Sequence, residues 1–256
     1  MKLDNDTLTA LQSIRVDGNK TTMPQLDRGL YGKVNKALEC LGGRWNRGAK
    51  AHVWDCDPGD PIADAVLTGE VRDWRKELQF FPTPNETAAW MVKLAALPPD
   101  NRGHELRALE PSAGDGAIIR AIRNGVNRCE VVAVEINPKM VATLRAEHPL
   151  ATVHCGDFLN LNGKLGLFDA VLMNPPFAKA QDIAHARHAW QYLKPGGRLV
   201  AITSPGWTFR QDSKHAEFAD WTRKIGATKY ELPEGTFKGS GTNVRTVAIH
   251  ATKGAA

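Results

Sequence analysis

Short apolar runs alternate with helix-like stretches from residue 106 to the end of the chain. A run of β-branched and aliphatic residues, such as residues 131–134, is typical of a strand buried on both faces of a sheet. Helix signals recur between the runs: Asn137 can cap a helix that has Pro138 at its first position, and Pro149 ends that helix. We predict strands over residues 106–110, 131–135, 151–154, 168–173, 198–203, 228–232 and 245–251, and helices over residues 85–97, 117–124, 182–193 and 213–225.

This alternation predicts an α/β fold with a mostly parallel, seven-stranded sheet and helices on both faces. Ligands bind such sheets at the carboxyl ends of the strands. Prolines at positions 82 and 84 break any helix that arrives from the N-terminal side, and the alternation begins only after them. We therefore divide the chain into an N-terminal accessory segment, residues 1–79, and a larger domain, residues 80–256.

The accessory segment follows another pattern. Residues 28–42 suit a helix, and a turn signal over residues 46–48 separates short stretches that carry Trp45 and Trp54. A helix followed by a basic hairpin is winged-helix-like, which favours contact with DNA. The basic residues of this hairpin are Arg44, Arg47 and Lys50, here called the basic hairpin residues. The alternative is that the tryptophans attach a small subdomain to the core and the charges are only solvated.

Composition narrows the class of protein. The 256 residues are 42% hydrophobic and 24% charged, as in globular domains, which excludes a wholly disordered chain. No apolar stretch approaches the roughly 20 residues of a membrane span, and no apolar signal-peptide core is present at the N-terminus. The four cysteines lack a Cys-x-x-Cys pair, so we expect reduced thiols, no metal site and a cytoplasmic location. They are Cys40, Cys56, Cys129 and Cys155.

The net charge of +5 is unevenly distributed along the chain. Residues 1–79 carry 12 basic and 12 acidic side chains, whereas residues 80–256 carry 21 and 16. Within the neutral segment, residues 28–50 hold six basic residues against one acid, and residues 51–79 hold seven acids against three basic residues. This clustering permits a nucleic-acid partner without requiring one.

A glycine-containing turn follows the first predicted strand, in residues 110–116 (Glu-Pro-Ser-Ala-Gly-Asp-Gly). Gly114 and Gly116 allow a tight turn and a close approach of the backbone to a ligand. A dinucleotide-binding loop would have a third glycine at position 119, where this chain has Ile119. Because Glu110 stands just before the turn, a ligand with a cationic amino group fits this position better than a pyrophosphate.

Acidic residues also follow the next two strands. Glu135 ends the second strand, where a carboxylate can accept both ribose hydroxyls of an adenosine. Asp157 follows the third strand and can accept from an exocyclic amine, and the neighbouring Phe158 can stack on a purine. Each feature alone is common, but their combination in this order is a much stronger signal.

The fourth strand runs into Asn174-Pro175-Pro176-Phe177, the most specific signal in the chain. An amine on an aromatic base is a poor nucleophile because its lone pair is delocalised into the ring. Hydrogen bonds accepted from its N–H groups shift electron density back to nitrogen. The Asn174 side-chain oxygen can accept one and the Pro175 carbonyl the other, and the two prolines hold that carbonyl rigid. Phe177 offers a flat face for stacking. The alternative is a Pro-Pro turn that merely ends a strand.

With these motifs, residues 80–256 resemble a class I S-adenosylmethionine-dependent methyltransferase with its Rossmann-like fold. The segment Phe81-Pro82-Thr83-Pro84 is similar to the N-terminal cofactor motif of amino-methylating DNA methyltransferases. The resemblance implies that S-adenosylmethionine is bound and that S-adenosylhomocysteine is the product. It implies that Thr83 and the Gly114 region hold the methionine end of the cofactor.

The resemblance also implies the partners of the remaining cofactor groups. Glu110 faces the ammonium, Glu135 the ribose and Asp157 the adenine amine, while Ile136 and Phe158 face the adenine ring. The implied cofactor-binding residues are Phe81, Thr83, Pro84, Glu110, Ser112, Gly114, Gly116, Glu135, Ile136, Asp157 and Phe158.

The motif order resembles the gamma-type order of N6-adenine DNA methyltransferases, and Asn174 favours adenine over cytosine. The implied reaction methylates the N6 amine of adenine in double-stranded DNA after base flipping. Phe237 lies in a segment that resembles the family's late motif, whose aromatic residue packs against the flipped base; core packing is the alternative. Candidate phosphate contacts are Lys179, Arg210 and Lys238, and for each a solvated surface charge is the alternative.

The chain departs from the larger DNA methyltransferases in one respect. Only 59 residues separate Phe177 from Phe237, so no target-recognition domain fits between them. Sequence choice then falls to residues 1–79 or to loops, or it is lax. Small enzymes of this kind resemble phage or prophage adenine methyltransferases, for which we expect no membrane and no obligate protein partner.

Other acceptors remain open. Asn-Pro-Pro-aromatic motifs also serve rRNA guanine-N2 or adenine-N6 methyltransferases and protein-glutamine methyltransferases. A further alternative is that the protein is not an enzyme but a nucleic-acid-binding module that has kept the methyltransferase fold. The Thr-Pro segment and the Phe237 loop favour DNA, and intact Asn174, Glu135 and Gly114 favour an enzyme.

Overall fold

The computed structural model describes residues 1–54, 57–71, 81–97, 105–240 and 245–254. The chain divides into two compact units, Met1–Gln79 and Phe80–Ala256, at the position where the sequence pattern changes. Within the described residues, no helix is long and apolar enough to cross a membrane. Cys56 lies outside these residues.

The first unit combines three described helices with a four-stranded antiparallel sheet. The helices are α1 (Asn5–Gln12), α2 (Arg28–Leu41) and α3 (Gly59–Thr68), and the strands are β1 (Arg15–Asp17), β2 (Lys20–Thr22), β3 (Arg44–Asn46) and β4 (Ala51–Val53). The strand order is β1-β2-β4-β3. The expected helix and basic hairpin are α2, β3 and β4, and the β1–β2 hairpin extends their sheet beyond a winged-helix fragment.

The second unit contains the seven-stranded sheet. Its helices are α4 (Asn85–Ala95), α5 (Ala117–Gly125), α6 (Pro138–Glu147), α7 (Gln181–Gln191) and α8 (Ser213–Lys224), and its strands are β5 (Leu106–Glu110), β6 (Cys129–Glu135), β7 (Ala151–Cys155), β8 (Phe168–Met173), β9 (Leu193–Thr203), β10 (Thr228–Glu231) and β11 (Val247–Thr252). The strand order is β10-β11-β9-β8-β5-β6-β7. Only β11 runs antiparallel to its neighbours, β9 and β10, so the predicted mostly parallel α/β fold is confirmed.

Alternate residues of the central strands face opposite sides of the sheet and build two separate core clusters. On β5, Ala108 belongs to one cluster and Leu109 to the other. Helices α4, α5 and α6 contribute to the first cluster, and α7 and α8 to the second. Both faces of the sheet are therefore covered, which explains why the strands read as continuous apolar runs.

Strand β9 begins five residues earlier than the pattern predicted. Pro195-Gly196-Gly197 lies between the predicted helix over residues 182–193 and the predicted strand over residues 198–203. In the structure, the Gly196 N–H donates to the Lys253 carbonyl and the Lys253 N–H donates to the Gly197 carbonyl, both at 2.8 Å. The register with β8 shifts in this region, between Phe168 and Ala170. Pairing with the end of β11 therefore recruits a turn-like sequence into the strand.

The central strands β5 and β8 are neighbours whose following helices lie on opposite faces of the sheet. Such a switch point opens a crevice at the carboxyl ends of the strands, where ligands bind. Glu110 is the last residue of β5, Glu135 is the last residue of β6, and Asn174 directly follows β8. The fold thus brings the three polar residues singled out in the sequence to one edge of the sheet.

Candidate active site

The turn after β5 depends on its glycines. Gly114 and Gly116 have φ values of +54° and +75°, in the left-handed region that side chains disfavour. At Gly116, an added Cβ would lie 2.6 Å from His148 Nε2 and 2.8 Å from a methyl group of Leu144. Both the backbone angle and the close packing therefore require glycine, and α5 begins directly after this residue.

The Glu135 carboxylate joins this turn to the loop after β6. One oxygen accepts a hydrogen bond from the Gly114 N–H and the other from the Asn137 N–H, both at 2.8 Å. A carboxylate oxygen can accept more than one hydrogen bond. The side chain is therefore fixed in place and retains acceptor capacity for the two ribose hydroxyls that the sequence assigned to it.

Glu110 is a buried acid that forms no salt bridge with any residue that the structure describes. Glu110 is 2% exposed, and its Oε2 atom has no hydrogen-bond partner among the described residues. Burial raises the pKa of Glu110 well above its ordinary value, and the nearby carboxylates of Asp115 and Glu135 add to this effect. A buried carboxyl group with one oxygen free is suited to a positively charged donor, so the methionine ammonium of S-adenosylmethionine fits this position.

Of the three residues expected around the adenine, the structure leaves Ile136 and Asp157 available but not Phe158. Ile136 is 51% exposed at the carboxyl end of β6 and can cover a ring. Asp157 accepts from the Leu159 N–H at 3.0 Å and from Asn160 Nδ2 at 3.1 Å, so it also orders its own loop. Phe158, however, is 2% exposed. Its ring is enclosed by His185, His188 and Tyr192, with centroid distances of 4.8 to 5.8 Å, so the expectation that it stacks on adenine is wrong.

Asn174 is held by the segment that resembles the cofactor motif. Its Nδ2 atom donates to Thr83 Oγ1 at 3.0 Å and to the Phe81 carbonyl at 3.3 Å. Its Oδ1 atom is buried, and no partner for it lies among the described residues. The atom that the sequence assigned to accept an amine N–H is therefore the one left free.

The aromatic and proline residues of the segments that contain Thr83 and Asn174 differ in their exposure. Phe177 and Phe81 stack with ring centroids 6.5 Å apart and an angle of 19° between the ring planes. Pro175 is buried, and Pro176, Pro84 and Ser112 are partly exposed. The second expected stacking residue, Phe237, is 1% exposed and packs in the core cluster of α4 and α5, so the core-packing alternative describes it and the stacking role is not met.

The structure also identifies residues that the sequence did not single out. Asp182 Oδ2 accepts from the Ser204 N–H at 2.7 Å and from its hydroxyl at 2.8 Å, which ties the start of α7 to the end of β9. Phe209 is 68% exposed in the segment after β9, beyond the buried Trp207. The sequence did offer a signal for Phe209, because this aromatic residue lies between the end of a predicted strand and the basic residue Arg210.

The basic candidates occupy different settings. The basic hairpin residues are exposed in the first unit. Lys179 is exposed and its carbonyl accepts from Lys214 Nζ at 2.7 Å, while Arg210 pairs with Asp212 at 3.2 Å. Lys238 is exposed beside the buried Phe237. All of them are accessible to solvent, and the contact with Lys179 brings Lys214 to the segment that follows Phe177.

Part of the chain is similar to known proteins. Residues 108–197 match the family model described as "Methyltransferase domain". No curated protein sequence gives a significant match. Similar solved structures include the 23S rRNA methyltransferase ErmE, with 19% identity, a TM-score of 0.49 and coverage of 68% of this chain and 70% of that one. A further one is the N-methyltransferase NodS from Bradyrhizobium japonicum WM9, with 14% identity, a TM-score of 0.47 and coverage of 66% and 95%.

An RNA methyltransferase from Salinibacter ruber, in complex with S-adenosyl-L-homocysteine, is similar at 18% identity, with a TM-score of 0.44 and coverage of 68% and 94%. The family match spans β5 to the start of β9 and includes the glycine turn, Glu135 and Asn174. Residues 108–197 of the second unit thus match a methyltransferase domain, and the residues of the site fit S-adenosylmethionine as the cofactor.

Proposed function

We propose that the protein methylates the N6 amine of adenine in DNA. The observation that carries this proposal is the free Oδ1 atom of Asn174, buried at the switch point with its amide nitrogen already bonded. A fixed acceptor next to a rigid carbonyl suits a planar amine with two N–H groups, because both hydrogens can be held at once. The adjacent Phe177 ring supports a flat heterocycle.

The chain's own residues hold the acceptor and shift electron density onto its nitrogen. Asn174 Oδ1 accepts one amine N–H and the Pro175 carbonyl accepts the other, which favours a pyramidal nitrogen with a more available lone pair. S-adenosylmethionine, when bound, supplies a methyl group on a positively charged sulfur. The nitrogen lone pair forms the new N–CH3 bond while the S–CH3 electron pair stays on sulfur. The surplus proton on nitrogen leaves to water, so no metal or dedicated base is needed in this scheme.

A base within a duplex must leave the stack to reach this edge of the sheet. Base flipping costs a few kcal/mol, which stacking on Phe177 and hydrogen bonding to Asn174 offset. The exposed basic residues Lys179 and Lys214 and the exposed Phe209 lie in the segments that follow β8 and β9, at the same edge. These segments are our candidates for contact with the flanking nucleotides.

The same chemistry suits other planar amines, so the experiment must separate the acceptors. Purified protein is incubated with tritiated S-adenosylmethionine and duplex DNA, structured RNA or a protein extract. We expect label in DNA, and its loss by about 100-fold or more in Asn174→Ala, because one preorganised transition-state contact is removed. Asn124→Ala, an exposed change at the end of α5, is the matched control.

Label confined to RNA would replace the DNA proposal with the rRNA alternative, and label confined to protein would replace it with the glutamine alternative. Absence of transfer to every acceptor, with intact cofactor binding, would favour the non-catalytic binding module. Full activity of Asn174→Ala would overturn the mechanism for all acceptors.

A further inference from the structure

The carboxamide of Asn174 has two possible orientations, related by a rotation of 180°. Oxygen and nitrogen exchange places between them, and only one orientation presents an acceptor to an amine. The other would present an NH2 group, which repels the N–H groups of the acceptor. A mechanism that uses Asn174 Oδ1 therefore needs a device that selects the orientation before the acceptor arrives.

The contacts of Asn174 provide such a device. The Phe81 carbonyl can only accept a hydrogen bond, so the atom that faces it at 3.3 Å must be the amide nitrogen. Thr83 Oγ1 accepts from the same nitrogen at the shorter distance of 3.0 Å. Both amide hydrogens thus have acceptors on one short segment, and Oδ1 is directed to the other side.

We infer that Thr83 is a positioning residue for methyl transfer, acting through Asn174. The inference rests on the proposed function, because it assigns a role to Thr83 only if Asn174 Oδ1 accepts the reacting amine. A threonine hydroxyl accepts and donates at the same time, so bonding to Asn174 leaves the Thr83 hydrogen available for another acceptor. Thr83 can therefore orient Asn174 and still serve the cofactor segment in which it lies.

The first test observes the Asn174 side chain directly and needs no substrate. In the free protein, the side-chain 15N–1H signals of Asn174, identified by their loss in Asn174→Asp, should show slowed exchange with water because both amide hydrogens are bonded. Thr83→Val keeps the size of the side chain and removes the hydroxyl. It should move these signals and speed their exchange, whereas Thr87→Val, the same change four residues further along the chain on α4, should leave them in place. Fast exchange in the wild-type protein, or unchanged signals in Thr83→Val, would overturn the inference.

The second test separates positioning from general stability. At saturating S-adenosylmethionine, Thr83→Val should lower kcat about 10-fold with acceptor KM within twofold, because loss of one hydrogen bond shifts an orientation equilibrium by about 2- to 13-fold. Thr83→Ser should recover most of that loss in kcat. If the Thr83→Val protein does not fold, Thr83→Ala replaces it and should show the same fall in kcat. Equal kcat in wild type, Thr83→Val and Thr83→Ser would refute the positioning role.

Asn174→Ala, measured in the same assay, separates this inference from the proposed function. If Asn174→Ala is inactive while Thr83→Val is fully active, the proposed function stands and the positioning role fails. If Asn174→Ala is fully active, the proposed mechanism fails, whatever the signals of Asn174 show.

Discussion

The buried carboxyl group of Glu110, with its free Oε2 atom, predicts that cofactor binding depends on pH and releases a proton. Glu110 is buried, its Oε2 atom has no partner among the described residues, and burial raises its pKa well above the ordinary value. A cofactor ammonium beside the carboxylate would favour the ionised form and lower that pKa. S-adenosylmethionine should therefore bind more tightly as pH rises towards the pKa of Glu110 in the free protein.

Glu110→Gln tests this reasoning because it keeps the shape and removes the charge. A hydrogen bond to a charged group contributes about 1.5–3 kcal/mol, which corresponds to about 10- to 150-fold in affinity. We expect cofactor affinity to fall by this factor at pH 7. Without cofactor, the Glu110 charge lowers the stability of the folded protein. A raised carboxyl pKa contributes folding stability that is fully present below the ordinary pKa of about 4.3 and is lost as pH rises through the pKa of the folded state. The variant should therefore melt at a higher temperature than wild type at pH 7, and the difference should shrink at pH 4.5.

Isothermal titration calorimetry between pH 5.5 and 7 is the suitable assay, because the cofactor amine stays protonated below its ordinary pKa of about 7.7–8.0. Titrations in two buffers with different ionisation enthalpies give the number of protons released. We expect a release in wild type that is absent in Glu110→Gln. An affinity that is flat over this range in wild type, or a variant that binds as tightly as wild type, would refute the assignment of Glu110 to the ammonium.

Three further changes test the turn and the nucleic-acid surface. Gly116→Ala should lower the free energy of unfolding by about 1–3 kcal/mol more than Gly163→Ala. Both glycines have a positive φ, but of the two only Gly116 has neighbours that an added Cβ would meet. Equal losses of stability in urea unfolding would contradict this prediction. Changing all three basic hairpin residues to alanine should reduce the slope of log affinity for DNA against log salt by about 2.7, and an unchanged slope would exclude them from the interface. Phe209→Ala should weaken DNA binding and leave cofactor affinity unchanged, whereas Leu150→Ala, an exposed change at the opposite edge of the sheet, should affect neither.

The core of the fold could be predicted because its signals are local. β5 and β8 have the predicted bounds, since their apolar runs end at Glu110 and before Asn174. The start of β9 could not, because Gly196 and Gly197 become part of the strand through pairing with Lys253, more than 50 residues away. β1 was missed because its three residues are all exposed and leave no apolar pattern.

At the site, residue types were predictable and their surroundings were not. Polar residues at strand ends located the Glu110, Glu135 and Asn174 positions because parallel strands place their carboxyl ends together. The aromatic residues were less tractable, since a Phe in a loop can face a ligand or the core. Phe158 and Phe237 are both buried, and their burial depends on helices distant in sequence. The Asn174–Thr83 contact likewise joins residues 91 positions apart.

The identity of the methylated atom tests the central claim most directly. Duplex DNA is incubated with the protein and S-adenosylmethionine, digested to nucleosides and analysed by mass spectrometry beside DNA treated with Asn174→Ala. We predict N6-methyladenine from the wild-type protein and at most about one hundredth of it from Asn174→Ala. Three results would contradict the proposed function. They are methylated cytosine in the DNA, unmodified DNA together with methylated RNA or protein, and equal amounts of N6-methyladenine from both proteins.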